Sequence, residues 1–474
     1  MVRQTGERDL KRSILKAMNT KTFLKLELKN FLSNRAAALA FLCIFLAGAY
    51  GTFYGGNVIE KQRRVIAELP ALQAEHTEKM LGYKSGAEIA DLLYYLTFNT
   101  ADAPSDWAGF SIGQRDVNPF NVKVRMLALE GQIYDSEMTN PTNLLFGNFD
   151  LSFVIVFLFP LLIIAFTHNL ISAEQETGTW NLLRAQPVSL LRIVGWRLAL
   201  RFAAVFAAAL VMLAAGCLIL GAAFDARFAA AIFTTLVYFA FWFGVSAFVI
   251  SFGRGSTFNA LALVGIWIFL VLLAPALLSS IVSTRFPVSE SMETSVRQRE
   301  GYHEKWDRPK SETMNRFYRK YPEFADVPIP EDKFSWGWYY AMQQMGDEDA
   351  AAASESYREK LERRSRFTAR AAWFLPTVAA QMRFSEIAQT DLESHLRYLD
   401  SVRNFHERIR THFYPYIFRD AKVADVNLQV APQHKFDNRT TATLLTNQIF
   451  TILLAALIFI GLAWANLQKR IVNF

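Results

Sequence analysis

Phe228-Ala-Ala-Ala-Ile-Phe-Thr-Thr-Leu-Val-Tyr-Phe-Ala-Phe-Trp-Phe-Gly-Val-Ser-Ala-Phe-Val-Ile-Ser-Phe-Gly253 contains no Asp, Glu, Lys or Arg, and after the single Arg254 a second charge-free run extends over Gly255–Thr284. A bilayer core about 30 Å thick is crossed by roughly 20 residues at 1.5 Å each. Both runs are long enough. Working outward, four more stretches have the same character: Ala36–Gly55, Leu151–Thr167 (continued to residue 170 by uncharged His168, Asn169 and Leu170), Phe202–Phe224 and Thr440–Gln468. A charge at mid-bilayer costs about 2.5–3.5 kcal/mol on insertion scales, which accounts for such clean gaps. The composition agrees: of 474 residues 52% are hydrophobic, 40 are Phe and only 20% are charged. A soluble domain carries about 25% charge, and a disordered chain lacks the apolar residues. The expected fold class is therefore a mainly α, polytopic membrane protein with six transmembrane helices.

An even number of spans puts both ends of the chain on one side. Residues 1–35, the 171–197 loop, Arg201, Arg254 and the 469–474 tail together carry roughly +11, against about −4 for residues 56–150 and 285–439. Lys and Arg accumulate on the cytoplasmic side, so the termini are expected there. The net charge of +7 is thereby explained by topology, and nucleic acid is not expected as a partner. About 35 residues precede the first run, many of them charged, so that run reads as an uncleaved anchor. Cys43 and Cys217 both lie inside apolar runs, which argues against a disulfide framework and against a cysteine metal site.

Two segments then fall outside. The first, Asn57–Asp150, is rich in small residues and contains Pro70, Pro104, Pro119 and Pro141. The second, Arg285–Arg439, has a helical pattern over Asp347–Phe374 broken by Pro376, then Leu392, Leu396, Leu399, Val402, Phe405, Ile409 and Phe413 on one helix face. Trp336–Tyr340 is expected to serve packing or anchoring at the membrane interface.

Catalytic signatures are missing from the sequence. There is no GxxxxGK[ST] loop to cradle a phosphate, and Gly253-Arg254-Gly255-Ser256-Thr257 lacks the lysine. There is no HExxH; His406 and His412 are six apart and fall on different faces of a helix, so they read as packing or surface histidines. No carboxylate lies within the six cores to serve an ion-coupled mechanism. The chain reads as a non-catalytic membrane subunit without a cofactor or metal of its own.

One loop is more specific. Between the second and third runs stands Ile171-Ser-Ala-Glu174-Gln-Glu176-Thr177-Gly178-Thr179-Trp180-Asn-Leu182-Leu183-Arg184-Ala-Gln-Pro187, followed by Gly195-Trp-Arg197. Two carboxylates suit a helix N-terminus or a basic partner. Gly178 permits a sharp bend, and Leu182 with Leu183 forms an apolar knob of the kind that anchors a subunit contact. The string resembles the signature of ABC exporter permeases of the type-2 class: acidic-x-acidic-x-Gly-Thr, a Leu pair, then Pro. Arg197 stands where a lysine is usual. The amphipathic stretch Leu10–Arg35, with Ile14, Leu15, Met18, Phe23, Leu26, Leu28, Phe31 and Leu32 among lysines, is similar to that family's connecting helix. The two large outside segments resemble a bacterial subfamily with an uncharacterised periplasmic domain, through Leu375-Pro376, Ala388–His395 and Tyr398–Phe405.

That resemblance implies a permease subunit of an ATP-driven exporter in a bacterial inner membrane. Glu174, Glu176, Thr177, Gly178, Thr179, Leu182, Leu183 and Pro187 would meet a separate nucleotide-binding ATPase, which would hold ATP and magnesium. A second permease copy, identical or a sister chain, would complete the transporter within membrane lipid. Spans two and five would line its cavity with Phe153, Phe157, Phe159, Asn259, Trp267 and Phe269, suited to lipid-like cargo. The alternative is a mechanotransmitter, whose outside domains act on a periplasmic or outer-membrane protein with no cargo crossing the spans. A secondary transporter or receptor is disfavoured by the lack of intramembrane charges and signalling domains.

Overall fold

The structure, a computed structural model, describes residues 20–134, 148–180, 189–287, 304–330, 333–438, 440 and 443–472. It is mainly helical, and six helices are long and apolar enough to cross a membrane: Arg35–Lys84, Leu151–Glu176, Leu191–Leu220, Ala226–Ser251, Ser256–Arg285 and Asn447–Lys469. Hydropathy alone located all six. What it missed is how far the first one extends. The helix does not end at Gly55 but continues to Lys84 through Pro70. Residues 57–84 are apolar too rarely to lie in a bilayer, yet they are rich in Ala, Glu, Lys, Gln and Arg, which favour helix. Exposed pairs Glu60–Arg64 and Glu75–Lys79 support the outer half one turn apart. At Gly55 this helix touches the rest of the chain so closely that a Cβ would lie 1.9 Å from the Gly109 carbonyl oxygen.

The described residues form two principal cores. The first lies among the spans and centres on the fourth, with Tyr238, Phe239, Phe241 and Trp242 fully buried. The second lies outside the spans and draws on both inter-span segments. Ile89, Leu92, Leu93, the hairpin β1 (Phe98–Ala101) with β2 (Asn121–Val124), and Met126 pack against Phe317, Trp338, Tyr340, Val402, Phe405 and Phe413. The hairpin is antiparallel, Phe98 opposite Val124 and Ala101 opposite Asn121. The two insertions, far apart in sequence, thus share one core. Leu396, Leu399, Val402, Phe405, Ile409 and Phe413 form the buried face of the helix Leu392–Ile417, as their spacing predicts. Trp338, Tyr339 and Tyr340 are core residues of this outer domain.

Polar contacts between the two insertions are buried as well. Asp347 accepts from Arg410 (2.7 Å) and from the backbone N–H groups of Leu129 (2.9 Å) and Glu130 (3.2 Å). Glu130 pairs with Arg403 at 3.0 Å. His406 is buried, with Nε2 2.8 Å from the Arg125 carbonyl. That is the packing role its sequence context suggested. The extended first helix joins through Gln62, which exchanges hydrogen bonds with Arg115, itself paired to buried Asp102 at 2.6 Å.

The helix Pro376–Ala388 belongs to neither region alone. Its Ala379, Ala380, Phe384, Ile387 and Ala388 enter the core of the spans, against the fourth and sixth. The outer domain is therefore seated in the end of the bundle.

Candidate functional site: the 171–197 loop and the spans beneath it

The loop after the second span folds back on that span's end. Ser172–Glu176 is a last short helix, and Thr177 caps it. Gly178 then takes φ +77°, the left-handed conformation that glycine adopts without strain, so the expected bend is there. Glu174 is held inside the chain. Its carboxylate accepts from the Thr179 hydroxyl and from Arg197 Nη2 at 2.8 Å. Arg197 also pairs with Glu27 of the N-terminal helix Thr20–Leu32 at 3.3 Å. One guanidinium therefore ties together the N-terminal helix, the end of span two and the start of span three.

Glu176 reaches further. Its two carboxylate oxygens accept from the Ser256 backbone N–H (2.7 Å) and hydroxyl (2.9 Å). Ser256 opens the fifth span, so Glu176 is an N-cap supplied from 80 residues away, satisfying helix donors that otherwise lack partners. The Ser172 hydroxyl lies 2.8 Å from that of Ser256. Beneath, Leu170, Ile171, Val194, Ile250 and Leu467 form a small separate core, with Trp180 packed against it. Leu182, Leu183 and Pro187 lie outside the described residues, as does the stretch before Thr20.

Spans two and five, expected to line a cavity, share a device that sequence reading missed. Each contains one wide π-turn, Val154–Leu158 and Phe269–Leu273, and each turn is followed at the same offset by a proline, Pro160 and Pro275. Proline has no N–H to return to the preceding turn, which leaves carbonyls to be satisfied by neighbours. In span two, Tyr238 of span four donates to the Val156 carbonyl at 2.8 Å, and Trp267 of span five donates to that of Phe157 at 3.0 Å. In span five, Thr377 of the seated helix donates to the Leu270 carbonyl at 2.6 Å. The two prolines were the available signal.

Of the named cavity residues, Phe153 and Phe157 stack at 4.4 Å, and Trp267 joins them through its hydrogen bond. Phe159 is in the bundle core, stacked on Phe239, whereas Phe269 is exposed. Asn259 is buried at the loop end, where it donates to the carbonyls of His168 (3.0 Å) and Arg254 (3.3 Å). It joins spans two and five there, at their loop-side ends. A cleft of about 690 Å³ lies elsewhere, at the domain end, bordered by Trp107, Arg115, Asp225, Arg227 and Gln389.

Residues 291–437 match a family described as "Domain of unknown function (DUF3526)", which covers less than half of the chain. No curated protein and no solved structure matches the chain. The match spans most of the outer domain's second insertion and the seated helix, and leaves out the loop and the six spans.

Proposed function

We propose that this chain is the membrane subunit of an ATP-driven exporter, its termini and 171–197 loop facing the cytoplasm and a separate ATPase bound at that loop. The observation that carries the reading is the set of bonds around Glu174 and Glu176. A push on this short segment bears directly on the N-terminal helix, the end of span two and the starts of spans three and five. An element that received force from a partner would need such connections. The π-turns of spans two and five offer places where those spans could change pitch without breaking, since π-turns and prolines are common causes of helix bending. Two copies of the chain, facing each other, would enclose the path for cargo.

The test is co-expression with an ATPase subunit encoded beside the gene, comparing wild type with Leu182→Asp/Leu183→Asp. The double variant is expected to insert normally yet lose ATPase co-purification or cargo-stimulated hydrolysis, because an aspartate pair in an apolar contact is an uncompensated charge. Full binding and stimulation by the variant would remove the exporter reading.

A second reading has its own support. The first span continues unbroken into the outer domain, and Pro376–Ala388 seats that domain among the spans, so bundle motion would reach the domain directly. A mechanotransmitter would use this without moving cargo. Vesicles containing the purified complex separate the two: ATP-dependent lipid or amphiphile movement supports export, and ATP-dependent domain movement without it supports mechanotransmission.

A further inference from the structure

The outer domain's longest helix, Trp336–Ala371, ends in a sequence unlike the rest of its segment: residues 358–370 hold six Lys or Arg against two Glu. Packing fixes where this stretch lies. Arg364 Nε donates to the Phe286 carbonyl at 2.8 Å, one residue beyond span five, and Phe367 lies against Phe286 with ring centroids 5.7 Å apart. Trp373 contacts Phe450, in the first turn of span six, at 5.8 Å. Trp373 therefore stands at the edge of the hydrocarbon. Beside it Phe374 is 84% exposed, and Leu445, just before span six, 78%.

Arg370 and Arg366 precede Trp373 by about one and two helical turns, roughly 5 and 10 Å. Polar headgroups occupy about 5–8 Å on each side of the hydrocarbon core, so these side chains reach that layer. Both are exposed, as is Arg285 at the end of span five. Among the described residues Arg370 and Arg285 have no ion-pair partner, and Arg366 has only Glu362 one turn away at 3.4 Å, an exposed contact of little strength.

We propose that Arg285, Arg366 and Arg370, with the aromatic step Trp373–Phe374, form a site for anionic phospholipids in the leaflet on the outer-domain side. Guanidinium groups bind phosphate through paired, planar N–H donors. Three of them together favour a headgroup of net negative charge over a zwitterionic one. The aromatic step supplies what a free anion would not use, a surface for the upper acyl chain and glycerol region. This inference does not depend on the exporter reading.

The test uses the full chain in phosphatidylcholine bilayers containing spin-labelled phosphatidylglycerol or spin-labelled phosphatidylcholine, with the motionally restricted fraction of each measured by electron paramagnetic resonance. Wild type is expected to prefer phosphatidylglycerol, and Arg285→Gln/Arg366→Gln/Arg370→Gln to lower that preference about threefold or more. The control Arg319→Gln/Lys320→Gln removes charge near Glu348, about 27 Å back along the same helix from Arg366, and should leave it unchanged. Trp373→Ser/Phe374→Ser should reduce restriction of both lipids. Unchanged selectivity in the triple variant, an equal loss in the control, or displacement of the labelled lipid by millimolar inorganic phosphate would each overturn the proposal.

Discussion

The two ends of the spans are held by different means. At the outer-domain end, two insertions about 135 residues apart share an aromatic core, and the ion pair between them, Arg403–Glu130, is mostly buried, as is Arg410–Asp347 beside it. At the loop end, among the described residues, a small cluster of five buried residues is supplemented by a few carboxylate contacts at partly open positions. Burial over a large area makes a structure cooperative. A handful of directional bonds can instead be exchanged one at a time, each at small cost. The loop end is therefore where binding of another protein could rearrange the spans with modest free energy.

The largest loss is expected from Asp347→Ala. It leaves Arg410 charged and unpaired in the domain core and uncaps Leu129 and Glu130, so a loss of about 3–5 kcal/mol is expected. Thermal unfolding of the outer domain, followed by protease sensitivity, should fall accordingly while the spans stay intact. A wild-type transition would show that the insertions are joined by apolar contacts alone.

Acidification comes next. Burial pushes His395 and His434 down to about 4, with Arg115 and Arg408 adding to the effect. His406 is driven well below its ordinary value by burial and then by Arg410. All three are depressed in the folded state, so the unfolded chain binds the extra protons. Their contribution is complete above about pH 6.5 and is lost as the pH falls toward 4. Asp150, raised by burial to about 6, acts in the opposite sense, losing stability as pH rises from about 4 to 6. Burial lowers His412 as well, and it raises Asp102 as it does Asp150. With four histidines against two carboxyls, domain stability should decline below pH 6.5, and His406→Gln should flatten that decline. A domain equally stable at pH 4.5 and 7.5 would contradict this.

The smallest effect is expected at the loop end. Glu176→Gln keeps an acceptor for Ser256 but removes the charge facing the helix N-terminus. Amide exchange at Ser256–Asn259 should quicken while the global unfolding transition stays in place. A fall in the global transition would mean that the loop end is as cooperative as the domain end.

Much of the architecture was legible because its causes are local. Charge-free runs of bilayer length mark spans wherever they occur, and Leu396 to Phe413 reveal a buried helix face by spacing alone. What stayed hidden depends on distant partners. Glu176 could be read as a helix-capping acid, but nothing near it names Ser256. Pro160 and Pro275 were visible, yet the wide turns before them persist because Tyr238, Trp267 and Thr377 satisfy the freed carbonyls. The shared outer core could not be read from either insertion, since neither supplies a whole interior by itself. Gly55 looked like a boundary because hydropathy falls there, although helix propensity does not.

A helix of 50 residues is about 75 Å long, and only its first part fits within the bilayer. With its foot beside the loop end and its far half beside the outer domain, it is a lever arm. A tilt of about 5° at the foot would carry the tip roughly 6 Å over that length. A displacement too small to disturb a bilayer would thus become, at Lys84, a stroke wider than a helix turn.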